Sequence, residues 1–107
     1  MTPAQYSKLI MERLPAFQDL YDSSYIAFGR IVLDKHYTSW PLPWLIEQIL
    51  SSRAAIAICN ENITRLFVNV QKTSATEAMA YLFEQMRDLH SRYLQVCTLE
   101  LENRGIQ

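Results

Sequence analysis

The sequence predicts an α+β fold, mostly helical, with one β-hairpin at about 54–59 and 63–71 ahead of a long C-terminal helix. Three observations predict it. Apolar residues recur at three- and four-residue spacing along most of the chain, the period of amphipathic helices. The stretch 54–71 is rich in β-branched residues and is divided by Asn60-Glu61-Asn62, a cluster of turn formers. Ser74, with Glu77 three residues on, opens an unbroken heptad pattern in the manner of a capping box.

The first helix begins at Thr2-Pro3-Ala4-Gln5, where Thr2 caps, Pro3 takes the first helical position and Gln5 stands at the reciprocal capping place. Tyr6, Leu9, Ile10 and Leu14 share its apolar face, and Pro15 ends it. Residues 16–35 read as a second helix, because Phe17, Leu20, Tyr21, Ser24, Phe28, Ile31 and Val32 form one stripe too long for a strand. Gly29 costs that helix about 1 kcal/mol relative to alanine. His36 to Pro43 is a connection, since Pro41 and Pro43 both disfavour helical geometry in the residue before them. A helix then runs from Pro43 to about Arg53.

The next segment is read as the hairpin. Leu66, Val68 and Val70 point one way while Arg65 and Asn69 point the other, and Ile56 and Ile58 supply the matching face. The alternative is an all-α helical bundle, because Leu42, Leu45, Ile49, Ser52, Ile56, Cys59, Ile63, Leu66 and Val70 also keep helical spacing. The last helix spans about 75–102, roughly 28 residues and about 42 Å at 1.5 Å per residue. A compact chain of this size has a radius of gyration of about 13 Å. The heptad stripe Met79, Leu82, Met86, Leu89, Tyr93 and Val96 is therefore expected to meet a second copy of the chain, giving a homodimer.

The 107 residues suit a single domain, 1–107, with its own core. Half are hydrophobic and the formal net charge is −1, so the strong counterion-release drive of basic nucleic-acid binders is missing. Two glycines, Gly29 and Gly105, are too few for the phosphate-cradling loops of nucleotide enzymes. Charges interrupt the apolar positions of the first 20 residues, and no uninterrupted apolar run reaches the length of a membrane span. Cys59 and Cys97 lack paired spacing. A cytoplasmic protein without a membrane partner is the expectation.

Catalytic and metal-binding patterns are weak. No glutamate has a histidine three residues later, His36 and His90 are single, and Asp88 and His90 are two apart on a helix and face different ways. No metal, cofactor or catalytic residue is expected. Cys59 and Cys97 read as buried inert thiols, His90 as a solvated or helix-satisfied imidazole, and Glu100 and Glu102 as solvated carboxylates. Tyr37, Trp40 and Trp44, beside two prolines, read as a surface for another protein, since Trp and Tyr are frequent interface anchors.

The expected function is that of a small non-enzymatic interaction protein: a homodimeric adaptor, inhibitor or regulator. A winged-helix DNA-binding regulator is the alternative. There helix 43–53 would enter the major groove and the hairpin, with Arg65 and Lys72, would form the wing. That helix offers Glu47, Gln48, Ser51 and Ser52 beside one basic residue, Arg53, so nucleic acid is the less favoured partner.

Overall fold

The computed structural model describes Gln5, Lys8, residues 17–68 and residues 73–106. Gln5 and Lys8 are helical with exposed side chains. The cap at Thr2, the face Tyr6–Leu14, Pro15, the end of the expected hairpin at 69–71 and Lys72 lie outside the described residues. Helix α1 is Phe17–Ala27 and runs on as a π-helical segment, Phe28–Leu33. A short 3-10 turn, His36–Ser39, precedes α2, Leu42–Val68, and α3 is Ser74–Asn103. There is no strand among the described residues.

The expected α+β fold is thus overturned in favour of the all-α alternative: 54–68 continues α2 instead of forming a hairpin. The physical reason lies in what the ambiguous residues touch. β-branched residues cost a helix roughly half a kcal/mol each, whereas a fully buried large apolar side chain contributes about 1.5–3 kcal/mol. Cys59 and Leu66 are buried to completion, and Ile58 and Ile63 pack against the same cluster. The supposed turn formers find helical partners. Glu61 Oε1 pairs with Arg65 Nη2 at 2.6 Å one turn on, Asn60 Oδ1 accepts from Arg87 Nη1 at 3.3 Å, and Asn62 is turned inward.

Leu66 and Met79 share one core cluster, while Leu45 and Cys97 share the other at the far end. Helices α2 and α3 therefore run antiparallel, and α1 with its π segment packs along them. The described body measures 54 × 23 × 17 Å, with a radius of gyration of 16.0 Å, more elongated than the compact value expected for its length. The cap of α3 lies one residue earlier than expected. Thr73, not Ser74, accepts from the Thr76 backbone N–H at 3.3 Å, and Thr76 Oγ1 accepts from the Thr73 N–H at 2.7 Å.

A polar layer divides the core. On α1, Ser24 lies between Leu20 and Ala27. On α2, Ser52 lies between Ile49 and Ala55, and on α3 His90 lies between Met86 and Tyr93. All three polar residues are buried. Below the layer Phe17 meets Phe83 edge-on at 5.3 Å between centroids. Above it Ala27, Ile31, Leu45, Ile49, Tyr93 and Cys97 form the second apolar cluster.

α2 is also long and apolar enough to cross a bilayer by length and composition alone. Its inward face carries Ser52 and Asn62 among the apolar side chains. Its outward face carries Leu42, Ile46, Leu50 and Ala54, all exposed.

Candidate functional site

Above the polar layer a groove of about 630 Å³ opens between α1 with its π segment and the start of α2. Ile26, Ala27, Arg30 and Asp34 line one wall, and Trp44, Glu47, Gln48 and Ser51 line the other. His36 and Trp40 stand at the end, and His90 reaches the groove from α3. The wide turn shapes the first wall. The Asp34 N–H donates to the Gly29 carbonyl at 2.9 Å, the five-residue spacing of a π-helix, a form often found at functional sites. Lys35, at φ 54°, takes the left-handed conformation that turns the chain toward Trp40.

His90 is 2% exposed and its hydrogen bonds fix its tautomer. Ser24 Oγ lies 2.7 Å from the Leu20 carbonyl oxygen and 2.8 Å from His90 Nε2. Two oxygens at 2.7 Å need a proton between them, and the carbonyl has none to give. The hydroxyl therefore donates to Leu20, and Nε2–H donates to Ser24. The lone pair then resides on Nδ1, which has no hydrogen-bond partner. Burial holds the imidazole below its ordinary pKa, and so neutral. The Tyr93 hydroxyl donates to the Ser24 carbonyl at 3.1 Å, and its ring meets His90 edge-on.

A serine hydroxyl beside an imidazole resembles the start of a nucleophilic dyad. Here Ser24 is fully buried, its proton points at a carbonyl, and no carboxylate orients the ring. The contact is structural. Cys59 and Cys97 are buried in separate clusters, and burial pushes both thiols up to about 11, so neither offers a thiolate at neutral pH. No group of three metal-ligating side chains occurs among the described residues.

The sequence-based site residues divide into two sets. Trp40 and Trp44 both line the groove, Trp44 with 59% of its surface exposed and Trp40 half-buried. Tyr37 sits apart from it, half-buried against the second cluster. Its carbonyl accepts from Arg104 Nη2 at 3.3 Å, and Thr38 accepts from the same nitrogen at 3.0 Å. The six residues expected to meet a second copy face this chain instead. Met79, Met86 and Tyr93 are buried, and Leu82, Leu89 and Val96 pack half-buried against the two clusters.

Two further expectations give way. His90 is neither solvated nor satisfied within its own helix. Glu100 is largely covered, paired through Oε1 with Arg104 Nε at 3.0 Å. Sequence reasoning missed Ser24, Ser52 and His90 as a set. The available signal was three polar residues, each interrupting an otherwise apolar helical stripe. No family model, curated protein or solved structure matches this chain.

Proposed function

We propose that the chain is a non-enzymatic protein–protein interaction protein, a homodimeric adaptor or regulator with two contact surfaces. The observation that carries this reading is the row Leu42, Ile46, Leu50 and Ala54 on the outward face of α2. Its three large side chains are 37%, 43% and 58% exposed. Residues spaced by four form a ridge along a helix, and two such ridges interdigitate at a crossing angle of about −50°. A patch that packs on its own copy closes a two-fold dimer. This ridge replaces the α3 stripe as the self-association surface, because that stripe is occupied within the chain. The Trp40–Trp44 groove, on the neighbouring side of α2, supplies the second surface.

Light scattering tests the first surface. The mass at micromolar concentration should be twice that of one chain, and Leu50→Glu should halve it while leaving the helical circular dichroism intact. A wild-type protein that stays a single chain refutes the homodimer. The DNA-binding alternative has no wing among the described residues, since 54–68 is helix.

A further inference from the structure

The groove's free polar groups share one sign of demand. Asp34 and Glu47 stand on opposite walls, both exposed and neither in an ion pair or side-chain hydrogen bond among the described residues. His90 adds an acceptor, because its Nδ1 lone pair has no protein partner and the side chain is 98% buried. Trp40 and Trp44 add two indoles, whose faces attract cations. Against these stands Arg30, exposed on the wall that carries Asp34, together with His36 at the end. With histidines neutral, the lining therefore carries two negative charges and one positive.

An anion would meet two carboxylates, while a purely apolar ligand would leave the unfilled acceptor of His90 as it is. A positively charged nitrogen bearing N–H groups satisfies carboxylates, lone pair and indole faces together. The groove is also larger than one side chain needs, so it can take the residues on either side of the charged one.

We propose that this groove binds a basic peptide segment of the partner, with a lysine or arginine side chain seated between Trp40 and Trp44 within reach of Asp34 and Glu47. This rests on the protein-interaction reading above. Trp40 and Trp44 are the only tryptophans of the sequence, so intrinsic fluorescence reports from the groove without a label.

The test titrates the full chain with a blocked six-residue peptide carrying one arginine among alanines and leucines. Matched probes are the same peptide with citrulline in place of arginine, and agmatine alone. The arginine peptide should change the tryptophan emission saturably, and the citrulline peptide should bind about tenfold more weakly. Glu47→Gln and Asp34→Asn should each weaken the arginine peptide by about three- to tenfold. Both positions are exposed, so unchanged circular dichroism and urea midpoints should accompany that loss. Equal binding of the arginine and citrulline peptides overturns the proposal, as does the absence of a saturable change. Agmatine binding as tightly as the peptide also overturns it, by making the groove a small-amine site. A dimer that persists while all three probes fail removes this inference alone and leaves the self-association reading standing.

Discussion

Ser24→Ala should destabilise the protein far more than the loss of one oxygen atom suggests. The hydroxyl is the only partner of His90 Nε2, at 2.8 Å, and Nδ1 already lacks one. Removing it leaves an imidazole buried with both nitrogens unpaired. An orphaned buried polar group costs about 1–3 kcal/mol, and a domain of this size loses about 4–8 °C of Tm for each kcal/mol. His90→Phe behaves differently. The ring shape is kept, the polar nitrogens disappear, and Ser24 still donates to the Leu20 carbonyl. Once His90 is Phe, Ser24→Ala should cost almost nothing. The two substitutions should therefore be non-additive by about 1–2 kcal/mol, the range expected for residues in contact. Urea unfolding followed by circular dichroism at 25 °C gives the four free energies. Additivity to within about 0.5 kcal/mol, or a Ser24→Ala midpoint equal to wild type, would refute the assignment of the proton to Nε2.

Three further outcomes follow from the same geometry. His90 is held neutral by burial, so its folded pKa is depressed. The unfolded chain then binds the extra proton first, and stability present above the ordinary histidine value of about 6.5 should fall as pH drops below it. His90→Phe should flatten that part of a urea-midpoint series between about pH 5 and 8, and an unchanged slope would count against the assignment. Thr73→Ala should cost about 1 kcal/mol as a lost N-cap, while Ser74→Ala should change stability by only a few tenths; the reverse order in thermal melts would restore the sequence-based cap. Thiol labelling of Cys59 and Cys97 in native buffer should proceed only at the rate of structural opening, since both are fully buried and their pKa is near 11. Immediate modification of either thiol would contradict its placement.

The parts legible in the sequence were those where propensity and pattern agree. α3 was readable because a capping signal precedes a long run of good helix formers. Its boundaries came within a residue or two, and Met79, Met86 and Tyr93 are buried as the heptad implies. The other half of its inner face is Phe83, His90 and Cys97, one position beyond the expected Leu82, Leu89 and Val96. A helix packed against neighbours on two sides needs a broader face than a paired coil does. α2 misled because local composition and tertiary packing disagree. Ile56, Ile58, Thr64 and Val68 favour strand, and only burial against α3 decides for helix. The aromatic half of the groove was visible at Trp40 and Trp44. Its polar floor was not, because Ser24 and His90 are 66 positions apart and no spacing rule links them.

The segment Phe28–Leu33 holds one residue more than an α-helical turn would need between α1 and Asp34. Excising a single residue there would let the ordinary helix resume and swing everything downstream, through His36 and Trp40, by about 100° around the axis. The α2–α3 hairpin would be untouched, since its own pairing owes nothing to that register. A length change of one thus acts as a dial on the binding cleft alone, which makes this stretch the natural place for a lineage to retune its partner without rebuilding the body.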